Sequence, residues 1–185
     1  MKIYIDQGHN PENPNSGAEG NGLREQDLVY EIGQQTAARL RELGFDVRLS
    51  RPTPTTQLGT SVSSSLAARV NDANEWGAEY FISLHANSSE IASASGTEAF
   101  VYRRDSEAED LADDLVLRIT EATGLADRGV FARPGLYVLR KTRMPAVLVE
   151  LGFITNRRDA LLMADSPGLF AAGIVNGILT YLRSV

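Results

Sequence analysis

The spacing of apolar residues along this chain switches between two periods. In some segments apolar and polar residues alternate, and in others apolar residues recur every three or four positions. Alternation, or a short apolar run bounded by Gly, Pro or Asn, predicts a strand. The predicted strands occupy residues 2–6, 45–49, 80–84, 97–102, 136–139 and 146–149.

Helical spacing begins after residue 24, where Leu28, Val29 and Ile32 share one stripe and Gly44 ends the segment. Strands that alternate with helices predict an α/β fold with a largely parallel central sheet, in a single domain over residues 1–185. The other predicted helices cover about 64–76 and 106–123, and two closing helices begin at Asn156 and Ser166.

Composition narrows the possible chemistry. The chain has no cysteine, two histidines, and 18 Lys+Arg against 24 Asp+Glu, for a net charge of −6. Without cysteine there is no disulfide, thiolate nucleophile or iron–sulfur cluster, so a transition-metal site must use histidine and carboxylate ligands. The acidic balance argues against nucleic acid as a partner. No apolar run reaches the roughly 18–20 residues of a membrane span, and the first residues lack a signal-peptide pattern.

Three polar residues stand where predicted strands end. His9 follows the first strand, His85 follows residues 80–84, and Glu150 follows residues 146–149. Ligands of open α/β sheets bind beyond the carboxyl ends of the strands. We therefore expect these three side chains to meet at one edge of the sheet.

Glu25 is a fourth candidate. It lies in the first turn of a predicted helix, on the same stripe as Leu28, Val29 and Ile32. A carboxylate that faces a core is costly unless it is paired or binds a metal. Two imidazoles and one carboxylate, with one position left for water, form a known type of catalytic zinc site.

Such a site also needs a carboxylate that does not bind the metal, to take a proton from water and deliver it to the leaving nitrogen. Glu150 suits this role because the apolar residues before it predict partial desolvation and a raised pKa. Each residue also has an ordinary interpretation when it is considered alone. His9 could be a turn residue, His85 a hydrogen-bonded strand end, and Glu25 a favourable charge at a helix N-terminus.

Four blocks of sequence carry a family resemblance: IDQGH (5–9), GA (17–18) with GLRE (22–25), FISLHAN (81–87) and MPAVLVELGFITN (144–156). Together they resemble the zinc-dependent N-acetylmuramoyl-L-alanine amidases of the Amidase_3 type. The resemblance implies that His9, Glu25 and His85 bind one Zn²⁺ per chain and that Glu150 is the catalytic carboxylate. It implies a twisted mixed sheet flanked by helices on both faces. The implied reaction cleaves the amide between N-acetylmuramic acid and L-alanine in peptidoglycan.

The chain departs from the family pattern at Gln7, where proline is usual, and at Asn10, where a second glycine is usual. Both departures lie near the approach to the metal and bear on substrate preference. Some family members carry an inhibitory helix before the late strands. The loops here are short, so we expect a site that is open without an obligate protein activator.

Basic residues flank Glu150 and suggest a clamp for the carboxylates of the stem peptide. Arg140 is the strongest candidate, because the Leu139-Arg140 step resembles a family feature. Asn87, two residues after His85, could orient substrate or cap its loop. The other basic residues are Lys141, Arg143, Arg157 and Arg158, and solvated surface charge is the alternative interpretation of the whole group.

Two other functions stay open at this stage: a zinc peptidase that cuts within the stem peptide, and a wall-binding module without catalysis. A binding module has no need for all four site residues, and the Glu150 block favours the amidase. We expect action on the cell wall, outside the cytoplasm or after release, by a route that the sequence does not specify.

Overall fold

The computed structural model describes residues 1–184. Its centre is a six-stranded sheet in the order β4-β1-β5-β8-β6-β7, and all neighbouring strands are parallel except β6 and β8. The predicted mixed, mostly parallel α/β sheet is confirmed. The sheet strands are β1 Lys2–Gln7, β4 Asp46–Leu49, β5 Tyr80–Asn87, β6 Thr97–Val101, β7 Asp127–Ala132 and β8 Ala146–Phe153, and a separate hairpin joins β2 Glu19–Gly20 to β3 Leu23–Arg24.

Helices cover both faces of the sheet, and the alternation of side chains along each strand sends residues to two separate cores. Ile3 and Ile5 pack into the larger core with α1, α3 and α6, whereas Tyr4 packs into a smaller core with α2 and α4. The helices are α1 Glu25–Glu42, α2 Val62–Trp76, α3 Glu107–Thr123, α4 Tyr137–Lys141, α5 Arg157–Asp165 and α6 Pro167–Leu182.

Two predictions about the region before β8 were wrong. Residues 136–139 were predicted as a strand but begin a short helix, α4, with Val138 and Leu139 buried in the smaller core. A run of four apolar residues fits either a strand or a buried helical turn, and packing against α2 favours the helix. The sequence pattern also missed β7, because this edge strand is mostly exposed and has Gly129 at a φ of +91°.

Strands β5 and β8 extend further than predicted, so His85 and Glu150 lie within strands and not after them. The two residues are register partners. Phe81 lies four positions before His85, and Leu148 lies two positions before Glu150, so each pair shares one face of its strand. Phe81 and Leu148 pack in the smaller core, which puts His85 and Glu150 on the α2/α4 face of the sheet.

Among residues 1–184, no single helix is long and apolar enough to cross a membrane. Helices α5 and α6 reach that composition only when they are taken together, and they are bent by 85° relative to each other.

Candidate metal centre

The structure brings His9, Glu25 and His85 together. His9 Nε2 lies 3.1 Å from Glu25 Oε1, and His85 Nδ1 lies 3.0 Å from the same oxygen. One ligand atom from each residue falls within 4.8 Å of the other two. Three potential metal-ligand atoms therefore converge on one point, as their sequence positions predicted. They come from the loop after β1, the start of α1 and β5.

Glu25 is held in place by the chain around it. Its side chain is almost completely buried, as its position on the apolar stripe predicted. Ala18 N donates to Oε2 at 2.8 Å, and Ala86 N donates to Oε1 at 3.0 Å. Glu25 N in turn donates to Ala18 O at 2.9 Å. The carboxylate is thus orientated before any metal binds.

Two glycines of the family blocks allow the ligands to approach this closely. A Cβ at Gly8 would lie 2.5 Å from His85 Cε1, and a Cβ at Gly17 would lie 2.7 Å from Glu25 Oε2. Both distances are too short for real carbon contacts. Glycine is therefore required at both positions by the packing of the ligands.

The backbone of His9 adopts a left-handed conformation with a φ of +64°. Such a conformation costs roughly 1–3 kcal/mol in a non-glycine residue and persists only where the surrounding structure holds it. Arg69 stabilises the conformation of His9. Its guanidinium donates to His9 O, to Gln7 O at 2.6 Å and to Asp6 Oδ1 at 2.6 Å. Asp6 also accepts from Ser83 Oγ at 2.7 Å, which ties this buried pair to β5.

The electrostatics of Glu25 suit a ligand that must stay ionised. Burial by itself would raise the pKa of Glu25, but hydrogen bonds from His85 and His9 lower the pKa well below its ordinary value. The donor set of two imidazole nitrogens and one carboxylate oxygen fits Zn²⁺. The three ligand atoms lie within 4.8 Å of one another, so these residues could bind one ion together.

Glu150 faces this cluster, and within residues 1–184 its side chain makes no hydrogen bond or ion pair with the three predicted ligands. It is the register partner of His85 on β5 and of Glu98 on β6. Its Oε2 atom is buried without a hydrogen-bond partner in the part of the chain described. Burial, followed by the nearby charges of Glu25 and Glu98, raises the pKa of Glu150 to about 8. The predicted desolvated carboxyl is therefore present.

Glu98 and Arg128 beside Glu150 were missed at the sequence level. Asn87 Nδ2 donates to Glu98 Oε1 at 2.8 Å, and Arg128 Nε donates to Glu98 Oε2 at 2.9 Å. Asn87 Oδ1 accepts from Ser88 N, so both polar ends of Asn87 have partners. Only the pairing of β6 with β8 and β7 reveals this network, because no local spacing relates residues 98, 128 and 150.

Within residues 1–184, the other predicted substrate residues make no hydrogen bond or ion pair with His9, Glu25, His85 or Glu150. Arg140 is exposed in the last turn of α4, and its side chain makes no hydrogen bond or ion pair within residues 1–184. Arg158 Nη2 donates to Gly124 O at the end of α3. The departures Gln7 and Asn10 are buried: Gln7 Oε1 accepts from Arg51 N, and Asn10 Nδ2 donates to the carbonyls of Pro14 and Leu58. Through these hydrogen bonds, Gln7 and Asn10 stabilise the loops around the site.

A family profile described as N-acetylmuramoyl-L-alanine amidase matches residues 3–180. The chain belongs to this family. Bacillus subtilis YqiI is 38% identical over 97% of the chain and 84% of its own length. The N-acetylmuramoyl-L-alanine amidase LytC of the same organism is 34% identical over 98% of the chain, which spans 35% of LytC.

Solved structures of amidases share the fold. The N-acetylmuramoyl-L-alanine amidase AmiC2 of Nostoc punctiforme has a TM-score of 0.86 and 32% identity, with 99% of this chain and 97% of that chain covered. The CwlD amidase of Clostridioides difficile, solved in complex with the GerS lipoprotein, has a TM-score of 0.91 and covers 100% of this chain and 99% of that one. At 22% identity this second likeness shows the fold alone. Independence from an activator stays a prediction for the present chain.

Proposed function

We propose that this chain hydrolyses the amide between the lactyl group of N-acetylmuramic acid and L-alanine in peptidoglycan. The observation that carries the proposal is the arrangement of His9, Glu25 and His85 around one point, with the unpartnered carboxyl of Glu150 beside them. Membership of the amidase family supports it. We further propose that residues 1–185 act as one catalytic domain on the cell wall, with one Zn²⁺ per chain.

His9, Glu25 and His85 would hold the zinc ion. When bound, zinc would polarise the scissile carbonyl and lower the pKa of a water molecule to about 7. The chain's own acid and base is Glu150. It takes a proton from the attacking water while the water oxygen bonds to the carbonyl carbon, and it delivers a proton to the nitrogen as the C–N bond breaks. The products are a lactyl carboxylate and the free amino group of L-alanine.

The charges around Glu150 suit it both to accept a proton from water and to donate a proton to the leaving nitrogen. Burial and the neighbouring carboxylates of Glu25 and Glu98 raise its pKa to about 8. A bound cation favours the ionised form and would move this pKa down toward neutrality, where a carboxyl can both accept and donate a proton. Glu98 stays out of the exchange because Asn87 and Arg128 already occupy its oxygens.

A cavity of about 130 Å³ opens beside both histidines, between α2, α4 and β8. It has room for a few atoms next to the ligands and not for a sugar with its peptide. Most of the substrate must therefore lie outside it. We propose Arg140 and Asn87 as substrate-contacting residues from the sequence, and that the site works without a protein activator.

The test compares two variants of the purified chain. His9→Ala removes a ligand and should lower bound zinc well below one equivalent, measured by elemental analysis. Glu150→Gln should keep the zinc and lose nearly all hydrolysis of muropeptides. Normal activity in Glu150→Gln would refute the mechanism.

Mass spectrometry of the digest separates the proposed activity from its alternatives. Glycan with a free lactyl end identifies an amidase. Shortened peptide that is still attached to sugar would identify a peptidase, and binding to sacculi without release of amine would identify a wall-binding module. Activity that requires an added partner protein would refute the activator-free site.

A further inference from the structure

Arg128 occupies a distinctive position at the edge of the sheet. Its Nε donates to Glu98 Oε2 at 2.9 Å, and its guanidinium carbon lies 4.9 Å from the centre of the Phe153 ring. Its side chain nevertheless stays 39% exposed. A Cβ at Gly96 would lie 3.0 Å from Arg128 Cγ, so a glycine there leaves room for the arginine stem. The guanidinium is therefore held in one orientation while part of it remains accessible.

The sheet order gives this arginine a direction relative to the catalytic carboxyl. Strands β8, β6 and β7 are consecutive neighbours, Glu150 pairs in register with Glu98, and Glu98 bonds to Arg128. The three side chains thus form a row across the sheet. Two strand spacings separate the backbones of Arg128 and Glu150 by about 10 Å, and the guanidinium extends from there toward Glu98.

The open part of the face lies on the same side. Helices α2 and α4 pack over the smaller core, whereas Phe131 on β7 is 43% exposed. Phe131 is the register partner of Phe100, and Phe100 packs against the smaller core, so both rings belong to the α2/α4 face. A substrate that extends from Glu150 along this open surface crosses β6 and β7.

In the proposed reaction Glu150 gives its proton to the leaving nitrogen, so the peptide half of the substrate lies on its side of the metal. A distance of about 10 Å corresponds to two or three residues of an extended peptide. Glu98 and Glu150 place carboxyl groups in the path of an anionic peptide, and Arg128, which is bonded to Glu98, is a cation in the same row. Arg128 Nη2 has no hydrogen-bond partner within residues 1–184.

We propose that Arg128 forms a binding subsite for a peptide carboxylate on the second or third residue of the stem peptide. The planar guanidinium, fixed by Glu98 and Phe153, presents its remaining donors to that carboxylate. This inference rests on the proposed function and names the part of the substrate that Arg128 recognises.

The experiment uses two pairs of substrates that differ in one carboxylate. The first pair is N-acetylmuramoyl-L-alanyl-D-isoglutamine and the same compound with D-glutamate, which tests the second residue. The second pair carries L-lysine or meso-diaminopimelate as a third residue. For the pair whose carboxylate Arg128 binds, wild type should show a kcat/KM about tenfold higher for the carboxylate form, and Arg128→Gln should remove this ratio.

Arg48→Gln is the matched control. Arg48 lies on β4, the opposite edge of the sheet, pairs with Asp72 at 2.8 Å, is 42% exposed and lies 4.9 Å from the Trp76 ring. Like Arg128 it is a partly exposed arginine with one carboxylate and one aromatic ring beside it, but it lies at the far edge of the sheet from Glu150, so the substrate ratios of Arg48→Gln should match those of wild type. Zinc content should be unchanged in both variants.

The ratio separates substrate binding from a structural effect. Loss of Arg128 leaves Glu98 without its cation and could slow both members of a pair equally, which does not change their ratio. Ratios unchanged from wild type in both pairs would overturn the subsite while leaving the amidase intact. A wild-type chain that cleaves none of the four substrates would instead refute the proposed function.

Discussion

Replacing Arg69 is the most informative single change in this fold. Arg69 and Asp6 form an ion pair of 2.6 Å in which both side chains are only 1% exposed. The same guanidinium binds the carbonyls of Gln7 and His9. Arg69→Met keeps much of the volume and removes the charge, so it affects the ion pair and the backbone of a metal ligand together.

The expected loss of stability follows from the charge that remains. Asp6 would stay buried with Ser83 Oγ as its hydrogen-bond donor. Breaking a buried ion pair by removing one partner typically costs about 3–5 kcal/mol, because the other charge is left uncompensated. The double variant Asp6→Asn/Arg69→Met removes both charges and should be more stable than Arg69→Met alone. Urea unfolding of the metal-free proteins in EDTA measures these differences.

The affinity of the variants for zinc should not follow their stability. Within residues 1–184, Arg69 is the one hydrogen-bond donor to the carbonyl of His9, whose φ is +64°. Loss of an outer contact to a metal ligand typically weakens metal binding about 10–100-fold. The double variant should keep this weakened affinity although its stability recovers, because the carbonyl contact is missing in both variants. Competition with a chromophoric chelator measures the affinity.

Arg51→Met provides the control, since Arg51 is also buried and donates to backbone carbonyls, at Gln26 O and Pro54 O, without a carboxylate in an ion pair. It should cost less stability and leave zinc affinity near wild type. Wild-type zinc affinity in a folded Arg69→Met protein would refute the positioning of His9 by Arg69. Equal stability of Arg69→Met and wild type would refute the estimate for the ion pair.

Three further changes probe other contacts. Burial by itself would raise the pKa of Asp6, but Arg69 lowers it below 3.8. The ionised Asp6 carboxylate therefore stabilises the fold above about pH 4, and this stabilisation is lost as the pH falls through the lowered pKa. Asp6→Asn should flatten the acid dependence of the unfolding free energy in urea titrations, and an unchanged slope would contradict the assignment. Gly17→Ala should reduce zinc content because its Cβ would lie 2.7 Å from Glu25 Oε2, whereas normal zinc content would show that the loop can yield. Asn156→Ala should lower the unfolding free energy by about 1 kcal/mol, since Asn156 Oδ1 caps α5 through Arg158 N and Asp159 N, and an unchanged melting curve would count against that cap.

The four candidate site residues could be chosen from sequence because each has a local signal. Helical spacing put Glu25 on a buried stripe, and the structure confirms its burial. Apolar runs led directly to His85 and Glu150. The short apolar run at 136–139 lacked such a signal, since its length fits both a strand and a turn of helix, and contact with α2 decided the outcome.

By itself, the sequence determined the donor atoms available to a metal, the elements that carry them and the edge of the sheet where they meet, because these follow from residue identity and local periodicity. The tertiary structure alone decided which strands are neighbours. The position of β6 between β8 and β7 puts Glu98 and Arg128 beside Glu150, and the packing of α2 brings Arg69 to His9 O. Such contacts join residues 30 to 60 positions apart, and their pairing depends on the free energy of the whole fold and not on any local pattern.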